Sequence, residues 1–213
     1  MEADRVTALT RIFDDALDCV VRRGYGDEVC WARETTLAAL TERKFLSELA
    51  WCVLNAGMRE SVVRAKWPAI SAAFFDFASS EAICATTESC VRLARRSFNH
   101  PAKMRAIVDG ASRIRASGGF ARFQRELSLR PLELLAEFSF IGPVTVFHLA
   151  RNIGIDCAKP DRHLTRFAAA WGYEDVAALC ADVASAVEER IGVVDVVLWR
   201  HLALDCRCCA HAA

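Results

Sequence analysis

No run of eighteen apolar residues occurs in this 213-residue chain, so no membrane span and no membrane partner are expected. The first residues, MEADRVTALTRIFDD, are acidic and amphipathic where a secretory leader would be basic and then apolar, which points to the cytoplasm. Alternating apolar–polar runs bounded by paired turns are missing, which argues against a strand-built fold. Internal repeats and low-complexity tracts are missing as well. With 54% hydrophobic and 25% charged residues, bulk disorder is excluded and a sizeable core is affordable. The formal net charge is zero, which taken alone gives no reason to expect a polyanionic partner.

Cysteine is plentiful, at ten residues, yet scattered through apolar helical pattern, as small buried thiols in a reducing compartment would be. Only the tail HLALDCRCCAH gathers potential ligands: His201, Cys206, Cys208, Cys209 and His211. These are the sole zinc candidates, and the four-cysteine frame of an iron–sulfur cluster is absent; no metal and no cofactor are expected.

Zero net charge conceals an uneven distribution. Between Arg92 and Arg130 ten lysines and arginines face only Asp109 and Glu126, a local excess of eight positive charges. Two readings are open: an electrostatic footprint for a polyanion, or a solvated helical surface whose arginines pair with acids elsewhere.

Apolar residues recur at three- and four-residue steps almost throughout, which predicts an all-α fold of short helices. The expected helices cover about 3–22, 35–56, 60–77, 80–97, 101–117, 119–128, 131–138, 143–153, 162–171, 175–190 and 193–205. Glycines and prolines, among them Gly24, Gly57, Pro101, Pro131, Pro143, Gly154 and Pro160, supply the breaks.

The stretch FIGPVTVFHLARNIGIDCAKPDRHLTRF, residues 140–167, carries the functional signal. Gly142 allows a sharp turn without a side chain over the amides, and Pro143 suits the first turn of a new helix. Amides at such a start form an anion site suited to phosphate, although a plain packing corner would use the same residues. Asp161 follows Pro160 at the mouth of the next helix, where its simplest role is an N-cap.

This stretch resembles the helix-hairpin-helix DNA glycosylase superfamily, which includes endonuclease III. There a hairpin of the type L-P-G-[VI]-G is followed, about twenty residues on, by an aspartate in a D-x-H-[VIL]-x-R setting. Gly142 takes the last hairpin glycine position, and Asp161, His163, Leu164 and Arg166 match the second motif, beginning nineteen residues later. Upstream, FLSELAWCVLNAGMRESVVRAKWPAISAAFFDF and NHPAKMRAIVDGASRI are similar to stretches of 3-methyladenine DNA glycosylase I. Together the similarities span about residues 40–172.

The resemblance implies a two-lobed helical bundle containing a helix-hairpin-helix motif. One lobe would cover about 25–130, the hairpin and acid 131–172, and C-terminal helices 173–213 would pack with the N-terminal helix. It implies a monomeric enzyme acting on double-stranded DNA, nucleoid-associated when bound, that hydrolyses the N-glycosidic bond of a damaged or modified base. Asp161 would be catalytic. Phe140, Gly142, Val144, Thr145, Asn55, Arg59, His163 and Arg166 would contact DNA, with Met58 beside them as a possible wedge, and Trp51 and Trp67 would line the base pocket. Two departures matter. Phe140 stands in the first hairpin glycine position, and Val144 stands where bifunctional members carry the lyase lysine, so no strand cleavage is expected unless Lys159 supplies an amine. The base-reading carboxylate of 3-methyladenine DNA glycosylase I falls near Cys52, so that lesion is not implied, and its zinc-binding ends are not recognisable. Alternatives are a same-fold enzyme for a naturally modified base, a non-catalytic DNA-binding protein, and a helical protein whose hairpin is only a corner.

Overall fold

The computed structural model describes the backbone of residues 2–209 and the side chains of residues 4–204. Among the described residues there are thirteen α-helices and no strand. In chain order they are α1 (Glu2–Val20), α2 (Gly26–Glu34), α3 (Glu42–Asn55), α4 (Glu60–Ala73), α5 (Ser80–Ala85), α6 (Thr87–Ser97), α7 (Pro101–Ala116), α8 (Phe120–Leu129), α9 (Pro131–Ala136), α10 (Thr145–Asn152), α11 (Arg162–Ala170), α12 (Val176–Val187) and α13 (Ile191–Cys209). None of these helices is long and apolar enough to cross a membrane, over the described residues.

Local chemistry sets most of these boundaries. Thr41 caps α3 by accepting a hydrogen bond from the Lys44 amide at 3.2 Å, and Asp175 caps α12 through the Ala178 amide at 2.7 Å. Pro101 and Pro131 open α7 and α9, where a missing N–H costs nothing. The differences from expectation have equally local causes. Residues 35–41 hold only a short 3-10 turn, Leu37–Ala39, before α3 begins. α2 was not expected at all: the chain passes through a π-type turn, Val21–Tyr25, with Gly24 at φ 86°, and resumes helix at once. The expected 80–97 helix breaks at Thr86, whose hydroxyl donates to the Ala82 carbonyl, while that of Thr87 donates to Ile83 and Cys84. The 60–77 segment ends in a turn in which Phe75, Asp76 and Phe77 all have positive φ, held by the Arg43 side chain on the Asp76 carbonyl and by Ser71 on its carboxylate.

The chain forms two compact units: the residues through Thr36 together with those from Gly154 onward, and the intervening Leu37–Ile153. In the first unit α1 packs on α12 and α13 around Leu9, Phe13, Leu164, Leu179, Val194 and Val197. In the second, Phe45 of α3 meets Phe123 at 4.7 Å and Phe138 at 5.8 Å between ring centroids. Here α3 and α7 approach closely because Gly110 has no side chain: a Cβ there would lie 2.3 Å from Leu49 Cδ2.

Both crossing points of the first unit are held by one side chain. Arg190, just before α13, donates to the carbonyls of Thr35 at 2.6 Å, Ala32 at 2.9 Å and Gly154 at 3.2 Å. Its own side chain is 27% exposed, so these carbonyls depend on it rather than on bulk water. Replacing it by methionine keeps the apolar stem and removes every donor. Arg190→Met is expected to cost about 3 kcal/mol in urea unfolding, since charged hydrogen bonds contribute about 1.5–3 kcal/mol each and orphaned carbonyls add to the loss. A change under about 0.5 kcal/mol would show that the clamp is dispensable.

Candidate functional site

The loop from Gly154 to Pro160 delivers Asp161, and α13 fixes that loop from below. Asp156 accepts from the Gly192 amide at 2.9 Å, and the fully buried Asp195 accepts from the Lys159 amide at 3.2 Å. With those anchors set, Asp161 stands in extended conformation as the N-cap of α11. A single oxygen does the capping: Oδ1 accepts from the amides of His163 at 2.8 Å and Leu164 at 3.0 Å. Oδ2 has no hydrogen-bond partner among the described residues, and the side chain is half-buried. The cap and a free carboxylate oxygen therefore coexist. His163 is half-buried and its Nε2 accepts from Arg162 Nε at 3.4 Å, while Arg166 is exposed. Lys159 is half-buried in the same loop.

In the second unit the turn between α9 and α10 differs from expectation at one residue. Gly142 is exposed, but the left-handed backbone falls on Phe140, at φ 68°. Phe140 thus performs the turning role that was assigned to Gly142, in the position where the resembling family has its first glycine. Val144, half exposed, is the N-cap of α10 and offers no side-chain cap; Thr145 begins the helix. Asn55 folds back on its own helix, donating to the Trp51 carbonyl at 2.9 Å. Arg59 is exposed at the start of α4, one residue after the 40%-exposed Met58.

Trp51 and Trp67 come together edge to face, with ring centroids 5.2 Å apart. They line a cleft of about 490 Å³ with Ser47, Glu48, Arg64 and His148. Trp67 is braced from behind by Phe77, stacked at 5.4 Å, so the strained 75–77 turn supports the wall of this cleft. Glu48 is the carboxylate that sequence reasoning missed. Its side chain is 16% exposed, with one oxygen accepting from Lys44 at 2.6 Å and the other from Asn152 at 2.9 Å. It precedes Cys52 by one helical turn and so shares that residue's face of α3, a spacing from which it could have been found. Arg64 lies over the Trp51 ring at 5.4 Å and pairs with Glu60.

Part of the basic segment is paired with acids. Arg105 pairs with Glu88, Arg115 with Glu81, Arg113 with Glu137, and Arg130 with Glu126 and Glu137. Hydrogen bonds from Arg113 and then Arg130 hold the Glu137 carboxyl below its usual range. Lys103 is buried, donating to the carbonyls of Leu54 at 2.7 Å and Ala56 at 2.5 Å, and burial lowers its pKa. Five of the ten basic side chains are thus committed within the fold. Arg92, Arg95 and Arg96 on α6 and Arg122 and Arg125 on α8 carry no ion pair among the described residues.

Among the described residues no group of three or more His, Cys, Asp or Glu side chains is placed to hold a metal. Cys206, Cys208, Cys209 and His211 lie outside the residues whose side chains are described. Burial pushes the Cys180 thiol far above its ordinary range, as suits an inert core cysteine. Compared with protein-family models, curated proteins and solved structures, the chain matches none.

The single-oxygen cap predicts how substitutions at 161 divide. Asp161→Asn keeps an oxygen acceptor and is expected to unfold within a few tenths of a kcal/mol of the parent, whereas Asp161→Ala loses about 1 kcal/mol. Urea unfolding of both variants checks this; equal stability of the alanine variant would mean the cap contributes nothing.

Proposed function

We propose that the chain is a monofunctional DNA glycosylase, hydrolysing the bond between a damaged or modified base and its deoxyribose. The observation that carries the reading is the state of Asp161: a half-buried carboxylate with one oxygen on the helix cap and the other uncommitted among the described residues. It stands in the D-x-H-L-x-R pattern that resembles the helix-hairpin-helix glycosylases. An ordinary cap needs no such context, and a binding protein needs no acid there.

In the reaction the C1′–N bond breaks and its electron pair leaves with the base, which takes up a proton. Positive charge develops on the sugar as an oxocarbenium ion, and water adds its oxygen to C1′ while losing a proton. The Asp161 carboxylate stabilises the sugar cation and accepts or directs the water's proton. A base stacked inside duplex DNA is out of reach, so the nucleotide must rotate out before reaction. Within the second unit, the Trp51–Trp67 cleft has the character of a base-binding surface, with two aromatic walls and, in Glu48, an acceptor. The turn containing Gly142 and Val144, with Thr145 opening α10, would grip a phosphate, and Asn55 and Arg59 would contact the strand.

Val144 cannot form a Schiff base, so the product strand should stay intact until alkali cleaves the abasic site. Asp161→Asn should bind duplex DNA as tightly as the parent while base release falls by roughly 10²-fold or more. Gel analysis of lesion-bearing duplexes, with and without alkali, reads both expectations. Undiminished release by Asp161→Asn refutes the catalytic role. Strand cleavage without alkali that disappears in Lys159→Ala refutes the monofunctional assignment.

A further inference from the structure

We propose that Phe140 is a stacking platform for a nucleobase, the outermost ring of an aromatic ladder that climbs from the core of the second unit to its surface. Phe98, 5% exposed, forms the base of the ladder. His100 stacks on it with ring centroids 6.4 Å apart at 25°, and meets Phe140 edge to face at 5.9 Å. Phe140 itself is 37% exposed, and the buried ammonium of Lys103 lies 5.5 Å from its ring centroid.

The backbone makes this placement costly. Phe140 has φ 68°, a conformation that glycine adopts freely and that is unfavourable for residues with a Cβ. A large aromatic ring is held at a strained position without being fully buried there. Strain of this kind clusters at active sites and ligand clamps. The surroundings indicate what. Lys103, against the ring, donates to the carbonyls of Leu54 and Ala56, and four residues after Phe140 the half-exposed Val144 opens a helix with no side-chain cap. A ligand suited to this surface brings a flat π-face for the ring and a nearby anion for the uncapped helix start. A polynucleotide carries both at every residue.

The inference rests on the proposed engagement of DNA but not on catalysis, and it separates from both by experiment. Phe140→Leu preserves apolar bulk and removes the π-face; Phe140→Trp preserves the face. Binding of labelled single-stranded and gapped-duplex oligonucleotides, read by anisotropy across a salt series, is compared with thermal unfolding. With the stacking face lost, Phe140→Leu should bind roughly tenfold more weakly with its salt slope and melting temperature unchanged. Phe140→Trp should stay within about twofold of the parent. Undiminished binding by Phe140→Leu, or a loss accompanied by a lower melting temperature, makes the ring a packing element and overturns the proposal. Parent protein that binds neither oligonucleotide overturns the proposal together with the DNA reading. Parent protein that binds, with the expected Phe140→Leu loss, but releases no base overturns only the enzyme reading.

Discussion

A chain that leaves one unit, builds another over residues 37–153 and returns must hold both crossing points, and here one guanidinium does so. Arg190 binds the carbonyls of Thr35 and Gly154, the residues on either side of the excursion, and that of Ala32 behind them. Backbone carbonyls half removed from water need such donors, and no helix ladder is available to them at these junctions. From this clamp the order of the return loop follows. Asp156 and Asp195 fix its two ends on α13, so that Pro160 and Asp161 reach the start of α11 in a defined conformation. The carboxylate on which the functional reading depends is therefore placed by side chains of α13 and the residue preceding it, not by its own helix alone.

Capping and catalysis are often posed as rival roles for an acid at a helix start. At Asp161 one oxygen caps the helix and the other is left uncommitted among the described residues, so capping does not exclude the proposed role. Oδ1 accepts from the amides of His163 and Leu164 and so satisfies two donors of the first turn of α11. An oriented carboxylate with one oxygen uncommitted among the described residues is what the proposed reaction would require. Arg105, Arg113, Arg115 and Arg130, by contrast, do structural duty in ion pairs with Glu81, Glu88, Glu126 and Glu137. The charge count of that segment overstated its availability to a polyanion.

Much of the helical layout was legible because its signals are local. Pro101, Pro131 and the Asp161 cap each announce a helix start, and the apolar spacing gave the all-α class. What escaped depends on partners distant in sequence or on unusual backbone. Nothing in the sequence of Phe75, Asp76 and Phe77 suggests three consecutive left-handed residues; Arg43 and Ser71 make that turn possible. Phe140 was read as a departure from a glycine position, yet it adopts the glycine-like conformation itself. Glu48 was overlooked because attention fell on Cys52, one turn later on the same helix face. Its significance emerges only when folding brings Asn152 and the two tryptophans around it. Ion pairing across helices was likewise invisible in a linear count of charges.

The most direct test is chemical. Purified protein incubated with genomic DNA carrying defined lesions should liberate a free base, identified by mass spectrometry, and leave an abasic sugar behind. If no base appears from any lesion or natural modification offered, while the protein binds that DNA, Asp161 is a helix cap and nothing more.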